Sequence, residues 1–260
     1  MAHPARPAPW RAASFLRADR SPWPPTSARI ARLIALLTLS LCVWLSGCTP
    51  GAPAGASPAP TAAAAYHDVR FLADDGVLLA GELALPTTQP PRALIMIIHH
   101  SGPVDRTSYA YMRDRLLPEG YAVFTFDKRG NGASAGSYGC CEAEDALAAY
   151  RAAVTRPEVQ DLPVLIAAQS IGTNSVAEHF AAFRAITPPS AVALLSSLLG
   201  PDEIIAVAAP IIVIVADSEP ELERIGPAAV AAHRAHWPYG ADLYIADNAE
   251  HTLFDISAGP

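Results

Sequence analysis

Apolar residues recur with two different rhythms along this chain. From residue 66, the segment YHDVRFLADDGVLLAGELALP sets two stretches containing apolar residues on either side of Ala-Asp-Asp-Gly. That pattern predicts two strands closed by a tight turn. Further on, the apolar positions become continuous: RALIMIIHH (92–100), YAVFTFD (121–127), LPVLIAAQ (162–169), AVALLSSLL (191–199), PIIVIVAD (210–217) and ADLYIAD (241–247). Short unbroken runs of this kind fit strands covered on both faces.

Helical patterns separate them. In TSYAYMRDRLLPEG, Tyr109, Met112 and Leu116 fall at helical spacing before a Pro-Glu-Gly stop. EAEDALAAYRAAV (142–154) opens with acids, where the helix dipole favours them. IGTNSVAEHFAAFRAI (171–186), a short DEIIAVAA and PELERIGPAAVAAHRAH (220–236) complete the set. Strand and helix alternate, so the expected fold class is α/β, a mostly parallel twisted sheet with helices on both faces, opened by an antiparallel hairpin. In such sheets ligands bind at the carboxyl ends of the strands.

The residues before this pattern read differently. RIARLIALLTLSLCVWLSGC holds two arginines, an uncharged apolar run of 13 residues from Leu33 to Leu45, and a small-residue ending. The run is shorter than a bilayer span and suits the apolar region of a signal peptide. Residues 1–47 are therefore expected to be a leader. The ending Leu-Ser-Gly-Cys resembles the lipobox of bacterial lipoproteins, which implies cleavage before Cys48, lipidation of that cysteine and anchoring in the cell envelope. Thr49 rather than Asp after the cysteine favours the outer membrane where one exists. The stretch 48–65, rich in Pro, Ala and Gly, is expected to be a tether too poor in large apolar residues to fold. The folded domain is placed at 66–260.

Charge narrows the possible partners. Six of the 18 Lys and Arg lie before residue 33 with one acid, which leaves 12 basic and 24 acidic residues in the remainder. A surface with that balance does not attract nucleic acid. Cys140 and Cys141 are adjacent, with no second pair nearby, which makes a poor metal site. They are expected as thiols, or as a strained vicinal disulfide. No metal and no cofactor are expected.

Two serines compete as a nucleophile. GASAG (132–136) matches the pattern G-x-S-x-G letter for letter, but Ser134 lies in the glycine-rich loop DKRGNGASAGSYG with no strand against it. AQSIG has Ala168 in place of the first glycine, yet Ser170 stands where the strand 162–169 runs directly into a helix. A nucleophile elbow needs that context and small residues two before and two after the serine, which Ala168 and Gly172 supply. The competing reading of Ser170 is a helix N-cap.

A serine needs a base, and the base an orienting acid. His179 lies on the helix that Ser170 opens. His233 and His236 form an i, i+3 pair expected to be solvated. His99 is expected to be a buried, hydrogen-bonded strand-end residue. His251, in the loop ADNAEHTLFD after the last strand, can reach the elbow from a carboxyl strand end.

With these residues in place the chain resembles the α/β-hydrolase superfamily, in particular bacterial esterase-like and dienelactone-hydrolase-like members. IIHHSGPVDR is similar to their H-G-S-G-P-x-D-R segment, FDKRGNGAS to their D-x-R-G-x-G-x-S loop, and EHTLFD to the sequence around their catalytic histidine. The resemblance implies Ser170 as nucleophile, His251 as general base, and an acid after the seventh strand. In IVIVADSEPEL that acid is Glu219, with Asp217 and Glu221 as rivals. It further implies an oxyanion hole formed by the N–H groups of Ile171 and Ser101, each such donor contributing roughly 3 kcal/mol to the transition state. His100 stands where the family has glycine, so it either crowds the hole or lends a side chain to the pocket. Arg129, Gly130 and Gly132 are expected to be structural.

The expected activity is cleavage of small-molecule carboxylic esters through an acyl-enzyme, on a minimal fold without a cap domain. Thioesters and peptides are alternative substrates. A second possibility is a hydrolase-like lipoprotein that binds without catalysing, which Ala168, His100 and the displaced acid favour.

Overall fold

The hairpin is the first element among the described residues. In the computed structural model, which describes residues 64–247 and 249–251, β1 (Ala64–Leu72) and β2 (Leu78–Pro86) pair antiparallel along their full lengths. The leader 1–47, Cys48, the tether up to residue 63 and the tail after His251 lie outside the described residues. β1 begins at Ala64, two residues before the expected start, because β2 extends to Pro86 and so offers partners to Ala64 and Ala65.

The remaining strands are β3 (Leu94–Ile98), β4 (Ala122–Phe126), β5 (Val164–Gln169), β6 (Ala191–Leu195), β7 (Ile211–Ala216) and β8 (Ala241–Ala246). Together they make one eight-stranded sheet in the order β1-β2-β4-β3-β5-β6-β7-β8. β2 meets β4 antiparallel, and every pair from β4 to β8 is parallel. The chain steps from β3 outward to β4 and then returns to place β5 on the other side of β3. The strand order therefore reverses between β3 and β5, and in open parallel sheets it is at such a reversal, outside the carboxyl ends of the strands, that ligands bind.

The helices are α1 (Ala110–Leu116), α2 (Glu142–Val154), α3 (Ile171–Glu178), α4 (Phe180–Ile186), α5 (Pro201–Ile204) and α6 (Pro220–His236). A 3₁₀ turn at Arg106–Tyr109, capped by the Asp105 carboxylate, leads into α1. The expected single helix 171–186 is two, because His179 (φ −112, ψ 14) leaves helical geometry and directs both its N–H and its ring Nδ1 at the Ser175 carbonyl. β6 stops four residues short of the expected strand. Ser196 takes φ +44 and turns the chain off the sheet.

Strands β3, β4 and β5 are wholly or almost wholly buried, as their unbroken apolar runs require. Phe124, Phe180, Phe183, Tyr150 and Met96 fill the core beside them. Burying a side chain of that size contributes roughly 1.5–3 kcal/mol. His233 departs from its expected solvated position: it is fully buried in α6, with Nε2 donating to the Val207 carbonyl at 2.8 Å. His236, one turn on, is exposed as expected.

The loop after β4 is held by charge. Arg129 is buried and grips Asp145 of α2 with Nε at 2.6 Å and Nη2 at 2.8 Å, while Nη1 reaches Asp75 in the β1–β2 turn at 2.5 Å. One guanidinium thus ties hairpin, loop and helix together. Asp127 is likewise buried. It accepts from the Arg106 backbone N–H and guanidinium and from the Ala133 N–H. Burial pushes its pKa up, but the bonds from Arg106 outweigh that and hold the carboxyl below its usual range. Gly132 (φ +51) is required here, because a Cβ would fall 2.5 Å from the Asp127 carboxylate. Arg129, Gly132 and Asp127 therefore have structural work.

Candidate active site

β5 ends at Gln169 and α3 begins at Ile171, so Ser170 alone makes the turn between them. It does so at φ +53, ψ −121, a conformation that side chains other than glycine rarely adopt. Its N–H is fixed by the Leu195 carbonyl of β6 at 2.9 Å. Gly172 lets the helix approach β3, since a Cβ there would sit 2.7 Å from the His99 carbonyl. The methyl of Ala168 is fully buried between Ile98 and Leu194, so alanine is accommodated in the strand position where the family has glycine. Ser170 occupies the N-cap position of α3, yet its side chain makes no capping hydrogen bond.

The hydroxyl is directed elsewhere. His251 Nε2 lies 2.9 Å from Ser170 Oγ, and His251 Nδ1 is hydrogen-bonded to Glu219 Oε1. With the imidazole proton on Nδ1, Ser170 donates to Nε2 and Nδ1 donates to the carboxylate. These three groups follow the carboxyl ends of β5, β7 and β8, and because those strands are parallel the three ends lie on the same side of the sheet.

The three acids after β7 have separate surroundings. Glu219, with a side chain 13% exposed, faces the histidine. Asp217 accepts the Ala249 N–H at 3.1 Å and so supports the backbone of the loop that carries His251. Glu221 is exposed and paired with Arg224 one turn along α6.

Ser196, which the sequence reading leaves within a strand, belongs to this constellation. It is fully buried, and its Oγ lies 3.1 Å from Glu219 Oε2 and 2.5 Å from the His251 carbonyl. The one signal it gives in the sequence is the polar Ser-Ser pair that interrupts an apolar run.

Ser134 lies in a different environment. Its Oγ donates to the Asp127 carbonyl at 2.7 Å and accepts the Ala80 N–H at 2.9 Å. It is a buried brace between loop and hairpin.

The loop after β3 starts beside the elbow, because β3 and β5 are paired neighbours up to Ile98 and Ala168. Ile171 is the first residue of α3, so its N–H is among those a helix leaves without an internal partner. The Ser101 N–H has no acceptor among the described residues. The His100 ring turns back onto the Ser101 carbonyl through Nδ1. The His100 N–H donates to Tyr109 Oη at 2.9 Å, and Tyr109 Oη donates in turn to Gln169 Oε1 at 2.8 Å. Lys128 Nζ donates to the His100 carbonyl at 2.6 Å and to Glu142 at 2.7 Å.

His99 is buried as expected but has no hydrogen-bond partner at either ring nitrogen among the described residues. It packs instead against Tyr109 and Phe126, with ring centroids 5.1 and 4.3 Å away. Burial, reinforced by the nearby Lys128 and His100, pushes its pKa down to about 3. The unfolded chain takes up this proton below about pH 6.5 and the native one only near pH 3, so stability falls as pH drops through that window. The loss amounts to about 2 kcal/mol by roughly pH 5, or about 4–8 °C in Tm for a domain of this size. Thermal melts of His99→Phe are expected to lose that part of the acid sensitivity. An unchanged slope between pH 7 and 5 would contradict the assignment.

Among the described residues, no three His, Cys, Asp or Glu side chains converge as metal ligands. Cys140 and Cys141 are free thiols, the first exposed and the second half-buried.

The chain is similar to solved structures of a dienelactone hydrolase from Anabaena variabilis (19% identity, TM-score 0.58, covering 75% of this chain and 90% of that one). It is also similar to an esterase from Pyrococcus furiosus (15% identity, TM-score 0.57, covering 76% and 87%). A third is the Butyrivibrio proteoclasticus protein Est1E with ferulic acid bound (19% identity, TM-score 0.59, covering 73% and 92%). None of the curated proteins compared with the chain matches it. The family profile described as serine aminopeptidase, S33, matches residues 89–237, a span that holds Ser170, Glu219 and the loops after β3 and β4. The chain belongs to that family and is an α/β-hydrolase.

Proposed function

We propose that the protein cleaves carboxylic esters of small molecules through an acyl-enzyme formed on Ser170. The observation that carries this reading is the continuous line of hydrogen bonds from Ser170 Oγ through the His251 ring to Glu219. His251 Nε2 takes the hydroxyl proton as Oγ attacks the ester carbonyl carbon. The tetrahedral oxyanion is received by the N–H groups of Ile171 and Ser101. The C–O bond to the leaving group then breaks, and the alkoxide departs with the proton held on Nε2. Water repeats the sequence on the acyl-serine and releases the acid. Glu219 holds the imidazole in the tautomer that accepts from Ser170 and stabilises the imidazolium.

The choice of ester rests on three features. No cap domain is inserted between β6 and β7, where residues 196–210 hold only the four-residue α5. Two of the similar structures are an esterase and a dienelactone hydrolase. The strained backbone of Ser170 is the kind of cost retained at nucleophile elbows. The features that favour a binding protein without catalysis are each accommodated: Ala168 is packed, the His100 ring folds onto Ser101, and Glu219 meets the histidine.

The anchoring part of the reading rests on the sequence alone. Residues 1–47 are proposed as a leader and Cys48 as the lipidated residue, which would hold the enzyme at the bacterial envelope with the 48–65 stretch as spacer. Labelling with a fluorophosphonate tests the catalytic reading. One adduct per chain on Ser170, with p-nitrophenyl butyrate turnover blocked in proportion, is expected. A chain that turns over no p-nitrophenyl ester and takes no adduct at Ser170 overturns it.

A further inference from the structure

We propose that Lys128 is a positioning residue for the oxyanion hole: its ammonium grips the His100 carbonyl and thereby aims and polarises the Ser101 N–H. This inference rests on the catalytic reading above.

The argument begins with one peptide unit. The His100 carbonyl and the Ser101 N–H belong to the same peptide plane. The described peptide bonds are all trans, so this carbonyl and N–H point in opposite directions. Lys128 Nζ holds the carbonyl at 2.6 Å, which turns the Ser101 N–H away from the loop after β4. That N–H meets no acceptor among the described residues, although the groups around it are engaged: the His100 N–H, carbonyl and ring Nδ1, the Ser101 carbonyl, and the Gly102 N–H, which donates to Tyr138 Oη. A backbone donor left open beside the elbow is available to a ligand oxygen.

The cation also acts on the donor strength. A positive charge on a carbonyl oxygen draws electron density through the amide, and hydrogen bonds in a chain strengthen one another. Lys128 is suited to this because it is 5% exposed, so water screens it little. Its charge is balanced by Glu142 at the start of α2, at 2.7 Å. The lysine is therefore a fixed, compensated cation whose free donor serves one carbonyl.

Tyr109 fixes the preceding peptide. Its hydroxyl has one proton and two acceptor positions. The proton goes to Gln169 Oε1, and one acceptor position takes the His100 N–H. Gln169 immediately precedes Ser170. Tyr109 thus sets the gap between the β3 loop and the elbow, while Lys128 sets the rotation of the peptide that faces it. Within the D-x-R-G-x-G loop, Asp127 and Arg129 hold the fold, and Lys128, at the position between them, reaches the site.

The test uses Lys128→Met, which keeps an unbranched side chain as far as Cε and removes the donor and charge, and Lys128→Arg, which keeps both. For Lys128→Met we expect kcat on p-nitrophenyl butyrate to fall about 10- to 100-fold, below the loss for deleting an oxyanion donor outright. KM should stay within about twofold, because the ground-state carbonyl makes weaker use of the hole. Affinity for a trifluoromethyl ketone, which forms the tetrahedral oxyanion, should weaken by the same factor as kcat. Lys128→Arg should recover most of both. A purely structural lysine would lower Tm without this parallel between rate and oxyanion affinity. If Lys128→Met does not fold, Lys128→Gln, which removes the charge but keeps a polar side chain, carries the same measurement. Unchanged kcat in the folded Met variant, or in Lys128→Gln where Met does not fold, overturns the assignment. So does a kcat loss with undiminished trifluoromethyl ketone affinity. Ser170→Ala separates the two levels. A silent Ser170→Ala beside an undiminished Lys128→Met sinks this proposal alone, whereas an active Ser170→Ala removes the catalytic reading and this proposal with it.

Discussion

Ser170→Ala is expected to lower p-nitrophenyl butyrate turnover by about 10⁴- to 10⁶-fold, the scale on which serine triads fail when the nucleophile is removed. Ser134→Ala is expected to keep turnover of the wild-type order. The contrast matters because GASAG is the better match in letters. The physical difference is what each hydroxyl does with its one proton. Ser134 spends it on the Asp127 carbonyl and gives a lone pair to the Ala80 N–H, both inside the protein. Ser170 spends it on an imidazole that a carboxylate holds from behind. The stability effects should run the other way. Removing the Ser134 hydroxyl leaves a buried N–H and a buried C=O short of a partner, at a cost of about 1–3 kcal/mol. Ser170→Ala deletes no capping bond and keeps the strained backbone, so its melt should lie close to that of the wild type. Steady-state rates and melts on the two variants check both halves. A Ser134→Ala chain that is folded but inactive would reverse the choice of serine.

The elbow was legible in the sequence because it is local. A strand period, one serine and a helix period lie within twenty residues, and the topology that exposes their junction follows from alternation along the chain. His251 was legible for a related reason: it is the histidine in a loop that leaves a carboxyl strand end. Contacts made across long stretches of chain were not legible. Ser196 meets the His251 carbonyl and Glu219 only because β6 ends beside β7 and β8. Nothing in the letters of AVALLSSLL separates that serine from a surface one. His99 was expected to find a hydrogen bond. Its ring instead stacks among Tyr109 and Phe126, and aromatic packing of that kind leaves no periodic trace. His233 was expected in water on the strength of its spacing from His236, but α6 buries one face against the residues after α5, and Val207 supplies the acceptor. The same limit applied to the acid, since three carboxylates within five residues cannot be ranked by spacing.

Glu219→Gln is expected to lower kcat by about 10²- to 10⁴-fold with little change in KM, while Asp217→Asn and Glu221→Gln stay within about tenfold of wild type. Glutamine keeps the size of the side chain but brings no charge, and its amide can turn an N–H toward the imidazole. Nδ1 must then act as acceptor, Nε2 carries the proton, and Ser170 loses its base. Asparagine at 217 loses much less, because its side-chain oxygen can still accept the Ala249 N–H that Asp217 holds at 3.1 Å. Glu221 is exposed and paired with Arg224, and exposed ion pairs on one helix face contribute little. Ser196→Ala falls between these cases. It leaves Glu219 its charge and removes the hydroxyl that sits between Oε2 and the His251 carbonyl, so the carboxylate gains rotational freedom without losing its partner. The order of loss, Glu219→Gln then Ser196→Ala then Asp217→Asn then Glu221→Gln, is a statement about distance from the imidazole rather than about charge, since three of the four residues are acids. If kcat collapsed in Asp217→Asn and survived in Glu219→Gln, the loop that bears His251 would have to seat its ring on the carboxylate at 217 during turnover, and the bond to Glu219 would be a resting contact.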